Sequence, residues 1–189
     1  SSAIDYAIHP MQYIKENPCR LVRVGIVPKP KKERAIVSDE EFQRIIERFP
    51  PGSRYRMYLL LGWHCGLRLS ECTALTWDDI DFEHRTLSIT KQFVERKDAA
   101  NKYFWALKEP KYKSFRKITF GETLCQELLA EKKRQAENEL RYGSFYTIHT
   151  LQPFIDEKGR KREMLTSLLK ADAAKANRCN LVCVGENGT

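Results

Sequence analysis

The run Met57-Tyr58-Leu59-Leu60-Leu61 limits most strongly what this chain can become. It is nearly all apolar and a glycine, Gly66, follows it, so it predicts a helix lying deep in a core. The residues before it predict how the chain enters that core. Ser38-Asp39-Glu40-Glu41 has the form of a capping box, with Ser38 as N-cap and Glu41 three residues on. Phe42, Ile45, Ile46 and Phe49 then fall at i, i+3, i+4 and i+7, which makes one buried helical face. Pro50-Pro51-Gly52 ends that helix, and Ser53 is placed to cap the apolar one. Ser70 is placed to cap a short helix through Ala74 and Leu75.

Further along, the period changes. Thr86-Leu87-Ser88-Ile89-Thr90 alternates and is rich in β-branched residues, a strand pattern that Phe93 and Val94 extend. Residues 103–107 and 115–120 read as two more strands, joined by the turn 109–114, and the three make a small antiparallel sheet. Residues 121–142 predict a long amphipathic helix, with Leu124, Leu128 and Leu129 on its apolar side and 131–134 on its charged side. Asp156-Glu157-Lys158-Gly159 is a hairpin turn between 145–154 and 160–165. We read that hairpin as an insert, followed by a helix near 165–177 and a strand at 181–184. At the other end, residues 4–16 read as a helix end and a turn, 21–27 as extended, and 28–37 as an exposed linker rich in proline and lysine. The fold class is α+β, mostly helical.

Charge and cysteines narrow the setting. Thirty-three Lys and Arg against 25 Asp and Glu leave a formal charge of +8 over 189 residues, which points to a polyanionic partner. The charge clusters at Lys29-Pro30-Lys31-Lys32 and between Lys108 and Lys117. The six cysteines are scattered and none forms Cys-x-x-Cys, so reduced thiols in a cytoplasmic protein are expected rather than a disulfide framework or a zinc site. No apolar run approaches the roughly 18 residues of a membrane span. The residues Ser1-Ser2-Ala3-Ile4-Asp5 have no secretion-signal character.

One stretch carries chemistry. In Gly66-Leu67-Arg68-Leu69-Ser70-Glu71 an arginine sits between leucines at the mouth of a helix. A guanidinium forks onto phosphate oxygens, and Glu71 can lock it in one rotamer. Taken by themselves, these residues fit a structural Arg–Glu pair equally well. Downstream, Glu109-Pro110-Lys111-Tyr112-Lys113-Ser114-Phe115-Arg116-Lys117-Ile118 is a basic turn that would ordinarily only be solvated. Asp78, Asp79 and Asp81 are turn formers or, in a rival reading, the acidic cluster of a metal-dependent nuclease.

Gly66 to Glu71, followed by Leu75-Thr76-Trp77-Asp78-Asp79-Ile80-Asp81, closely resembles the first arginine box of the tyrosine recombinases, the phage integrase family. The segment from Glu109 to Ile118 resembles that family's β-hairpin lysine motif, with Tyr112 in place of the common threonine. Ala3 to Ala7 and Tyr13 to Pro18 resemble the segment that leaves the core-binding domain in integrases of conjugative transposons and related phages. The resemblance implies a catalytic Arg68 supported by Glu71, and a catalytic Lys111 with Lys113 as the competing choice. It also implies DNA contacts from Lys113, Arg116, Lys31 and Lys32. The implied organisation is the end of a core-binding domain at 1–28, a linker at 29–37, and the N-terminal part of a catalytic domain at 38–189, with 145–177 inserted.

The family's reaction runs through a 3′-phosphotyrosine intermediate on double-stranded attachment-site DNA. It works as a tetramer, without a metal or other cofactor. The family also needs His-x-x-Arg and a nucleophilic tyrosine. None of His9, His64, His84 and His149 has an arginine three residues on, and the last tyrosine, Tyr146, lies outside any such motif. The expectation is therefore a catalytic domain cut off before its second box, with no nucleophile in this chain. The alternative is a non-catalytic DNA-binding or regulatory module on the same scaffold.

Overall fold

A computed structural model describes residues 2–19, 35–98, 100–156, 159–172 and 177–189. The extended piece at 21–27, most of the linker, and Lys31 and Lys32 lie outside the described residues. The chain divides into two compact units, Ser1–Val37 and Ser38–Thr189. In the first, helix α1 (Ser2–Ile8) is followed by turns closed by bonds such as Tyr13 N–H to the Ala7 carbonyl at 2.8 Å.

The second unit opens with α2 (Asp39–Glu47) and its capping box. The Ser38 hydroxyl accepts from the Glu41 amide at 3.3 Å, and the Glu41 carboxylate accepts from the Ser38 amide at 2.9 Å. Phe42 and Ile46 are buried, whereas Ile45 stays exposed at the edge of the stripe. Helix α3 (Arg56–Cys65) buries Met57, Leu60 and Leu61 and stacks Trp63 on Phe42 with ring centroids 4.2 Å apart. Ser53 does not cap it. Its carbonyl instead accepts from the Arg56 amide in a turn, and the N-cap is Tyr55, without a side-chain bond.

Arg56 ties three helices together. It bonds Glu127 with both Nε (3.1 Å) and Nη2 (2.6 Å), and it donates from Nη1 to the Phe49 carbonyl at 2.9 Å. That carbonyl lies just past the end of α2, where helix geometry leaves acceptors unpaired. Gly66, in the left-handed region at φ 61°, closes α3 through its amide to the Gly62 carbonyl at 3.0 Å. A four-residue helix, α4 (Leu69–Cys72), follows, with Arg68 rather than Ser70 at its N-cap.

Three segments were expected to form one sheet, but they are shared between two. The short β1 (Ile80–Asp81) pairs with β2 (Thr86–Ile89), and β2 pairs with β5 (Arg116–Thr119), giving a three-stranded antiparallel sheet. Strand β3 (Gln92–Lys97) pairs with β4 (Tyr103–Lys108) in a second sheet of order β3-β4-β7-β6. The break falls at Thr90-Lys91, where Lys91 turns aside to bond Asp79 at 2.6 Å and Thr76 at 3.0 Å.

Strands β6 (Thr147–Ile155) and β7 (Lys161–Leu169) form the hairpin read from the sequence. It extends the second sheet at Ala106↔Met164. The helix expected near 165–177 is absent from its described residues. Strand β7 runs to Leu169 and a 3-10 turn covers Lys170–Asp172. The expected strand at 181–184 reduces to a single bridge, Thr76↔Leu181.

Helix α5 (Glu122–Tyr142) lays Leu124, Cys125 and Leu128 against α3, Leu87, Ile89 and Val182 in the main core. Glu131 was expected on its charged face but is buried, because it lies three residues beyond Leu128 on the core stripe. Arg134 neutralises it, and Gln135 donates to it at 2.9 Å while also donating to the Val182 carbonyl at 2.8 Å. All six cysteines are free, and among the described residues no helix is long and apolar enough to cross a membrane.

Candidate active site

The β2-to-β5 and β3-to-β4 ladders together make one long antiparallel arm with an interruption in its middle. Ile89 pairs with Arg116, and Gln92 pairs with Lys108. Between those pairs, one strand has only Thr90 and Lys91 while the other has the whole segment 109–115. The basic turn is therefore an excursion from the side of the arm, not the tip of a hairpin, because β4 and β5 do not pair with each other. Lys111, Tyr112 and Lys113 form a 3-10 turn on it. Tyr112 and Lys113 both take positive φ, 62° and 51°, conformations that side chains disfavour. All three are exposed, and the Lys111 ammonium lies 5.1 Å from the Tyr112 ring centroid. Among the described residues neither Lys111 nor Lys113 has an ion-pair partner.

Arg68 and Glu71 are three apart on the first turn of α4, as their spacing predicts. The Glu71 carboxylate is 1 % exposed. It accepts from the Arg68 amide at 3.0 Å and from Arg68 Nη1 at 2.8 Å. It also accepts from Arg116 Nη1 at 3.1 Å and Nη2 at 2.7 Å. Burial pushes the Glu71 carboxyl up, but the bonds from Arg116 and from the Arg68 amide and guanidinium outweigh it and hold the group down at about 2. Glu71 is thus an anion at all ordinary pH, shared by two cations.

The two arginines are not equivalent. Arg68 keeps about half of its side chain in solvent and spends only Nη1 and its amide on Glu71, so the rest of its fork is free to meet an anion. Arg116, expected from its motif to contact DNA, turns its guanidinium toward Glu71. It takes both Glu71 oxygens and adds longer bonds to the Ser114 carbonyl and hydroxyl. The Glu71 bond raises its already high pKa. Inward pairing wins because a buried carboxylate with one half-exposed partner would otherwise lack compensation.

The three aspartates do not converge. Asp79 caps its own turn by accepting from the Thr76 amide at 2.8 Å and hydroxyl at 2.6 Å, and it pairs with Lys91. Asp81 accepts from the His84 amide at 3.0 Å and meets its ring at 2.8 Å, while Asp78 is exposed. Asp79 and Asp81 act as turn formers. Gln92 was passed over in the sequence because a lone glutamine between strand residues leaves no periodic signal. It is buried, and it joins Ser70 to Glu109.

Residues 36–139 match the model of the phage integrase family. The chain belongs to that family. Over 143 residues this integrase-family chain is 34% identical to a XerC-like tyrosine recombinase of Caldanaerobacter subterraneus subsp. tengcongensis, which takes in 71% of this chain and 36% of that protein.

Its fold is similar to that of the integrase of transposon Tn1549. With that integrase in complex with transposon right end DNA, the TM-score is 0.52 at 21% identity, covering 85% of this chain and 46% of that one. With the same integrase in complex with a circular intermediate DNA, the TM-score is 0.53 at 19% identity, covering 98% and 49%. The chain thus spans about half the length of those solved integrase chains and 36% of the recombinase. The fold class is that of the tyrosine-recombinase catalytic domain, with helices and two small antiparallel sheets.

Proposed function

We propose that residues 38–189 are the N-terminal part of the catalytic domain of a site-specific DNA recombinase, preceded by the end of a core-binding domain at 1–28 and a linker at 29–37. The observation that carries this reading is the Arg68–Glu71–Arg116 cluster. It fixes one guanidinium with half its side chain open, beside a solvent-facing lysine turn, on a strongly basic chain. A fixed, half-open guanidinium is suited to charge that builds on the non-bridging oxygens of a scissile phosphate, and fixing it beforehand removes reorganisation from the barrier. Lys111 serves as general acid and gives its proton to the 5′-oxygen as the phosphorus–oxygen bond breaks.

The attacking tyrosine forms the new phosphate ester, which conserves the bond for rejoining. That tyrosine, and the second arginine of the family's His-x-x-Arg box, match no motif in these 189 residues. The partner is double-stranded attachment-site DNA, gripped by phosphate contacts from Lys113 and from Lys31 and Lys32. The working form is a tetramer on that DNA in the cytoplasm, and the chemistry calls for no cofactor. Arg116 acts on the site through Glu71, which it holds beside Arg68.

The test is Arg68→Lys in the complete recombinase, with covalent DNA–protein adduct and DNA affinity measured side by side. Loss of the adduct with affinity retained is the expected outcome. Unchanged cleavage overturns the assignment. The alternative of a non-catalytic module predicts no adduct from the parent protein either.

A further inference from the structure

The excursion 109–115 leaves the long arm at two points, and each is pinned to a residue of α4. On the side where it rejoins the arm, Arg116 bonds Glu71. On the side where it leaves, Gln92 is the pin. Gln92 opens β3 opposite Lys108, is 7 % exposed, and uses both ends of its amide. Its Nε2 donates to the Glu109 carbonyl at 2.8 Å, and its Oε1 accepts from the Ser70 hydroxyl at 3.1 Å. Ser70 lies two residues from Arg68, and Glu109 two residues from Lys111. One buried side chain therefore links the element carrying the arginine to the backbone that carries the lysine.

The link has consequences because the Lys111 side chain itself is held by no ion pair among the described residues, so its place follows from the backbone that carries it. Its exposed turn includes two residues of positive φ. A general acid has to stand within hydrogen-bond reach of the oxygen it protonates, and a displacement of about 1 Å can cost on the order of a hundredfold in rate.

We propose that Gln92 is a positioning residue that sets Lys111 relative to Arg68 through the Ser70–Gln92–Glu109 bridge. This rests on Lys111 being the proton donor. Gln92 touches neither DNA nor the reacting atoms. Its loss leaves the arginine cluster intact and misplaces the lysine. An acid-like Gln92→Glu keeps the acceptor for Ser70 but loses the donor to Glu109, so it behaves like Gln92→Ala.

A change of leaving group separates this role from general structural support. In ordinary DNA the departing 5′-oxygen takes a proton from Lys111 to become a hydroxyl. When that bridging oxygen is replaced by sulfur, the 5′-thiolate departs without a proton, and the acid is no longer needed. The experiment measures cleavage of both substrates by the complete recombinase, as the parent and as Gln92→Ala, Gln92→Glu and Lys111→Ala, and compares the ratio of the two rates. The ratio within one preparation is independent of the fraction that is folded.

The expected result is a fall of about tenfold or more on ordinary DNA for both Gln92 variants, with the sulfur substrate restoring their rates as it does for Lys111→Ala. The ratio then rises in all three. A parent-like ratio in the Gln92 variants, whether or not their rates fall, overturns the proposal while Lys111→Ala still reports on the acid. A parent-like ratio in Lys111→Ala shows instead that Lys111 is not the proton donor, and the role of Gln92 falls with it.

Discussion

The carboxylate of Glu71 and the guanidinium of Arg116 meet fork to fork, at 2.7 and 3.1 Å, although 45 residues separate them in the chain. This pair joins the arginine helix to the first strand after the lysine turn, and the two arginines on Glu71 differ in what they depend on it for. Arg116 is the more enclosed of the two and has both Nη atoms committed to Glu71. Arg116→Ala should therefore cost about 3 kcal/mol of folding stability, whereas Arg68→Ala, removing a half-solvated side chain, should cost about 1 kcal/mol or less. Urea denaturation of the two variants gives the order, and a larger loss for Arg68→Ala would contradict it.

The same carboxylate should dominate stability in acid. Its folded pKa of about 2 lies below its ordinary value of 4.5. A depressed acid contributes its full stabilisation above the unfolded value, and that contribution is lost as pH falls from about 4.5 toward 2. The linked contribution is on the order of 3 kcal/mol. Stability measured by urea denaturation between pH 6 and about 2 should fall in this window. Glu71→Gln should be less stable at neutral pH and should show a shallower fall. A parallel fall in parent and variant would rule out Glu71 as the source.

Gly66 turns the chain from α3 toward Arg68 at φ 61°, with nothing within 4 Å of the position a Cβ would take. A substitution there meets no clash, so its cost is conformational alone. Gly66→Ala should lose about 1 kcal/mol, and Gly66→Asn less, because asparagine tolerates the left-handed region. Equal losses in thermal melts would show that space, not backbone, governs the position.

On DNA, Lys113→Ala should weaken binding to specific and arbitrary duplexes alike. It should also reduce the slope of log affinity against log salt by about one. Fluorescence anisotropy at several salt concentrations reads both quantities. Arg116→Ala, whose guanidinium faces Glu71, should leave the slope unchanged once the protein is folded. A drop in slope there would show that Arg116 reaches phosphate after all.

Much of this was legible locally. The Ser38–Glu41 capping box, the apolar α3 and its Gly66 stop, and α5 each rest on bonds or periods spanning a few residues and stand where the spacing put them. The Arg68–Glu71 pair belongs with them. The α2 stripe, by contrast, leaves Ile45 exposed, and the hairpin about Asp156–Gly159 has a second strand longer than its pattern indicated. The misreadings share a different cause. The helix expected near 165–177 lost to β7, because pairing with β6 over nine residues outweighed a mixed local pattern. Glu131 was assigned to solvent by its charge, but its place on the helix stripe and a neighbouring arginine put it in the core.

The sequence by itself determined helices α2, α3 and α5, most of the strands, and that an arginine box and a basic turn are present, because those follow from neighbours close along the chain. Only the tertiary structure decided that β2 and β3 part into different sheets at Lys91. It alone made the lysine turn a side excursion rather than a hairpin tip, drew Arg116 inward to Glu71, and bridged Ser70 to Glu109 with Gln92. Those outcomes depend on which distant groups a buried carboxylate or amide finds to satisfy it. Pairings across 17, 22 or 45 residues leave no period in the chain to read.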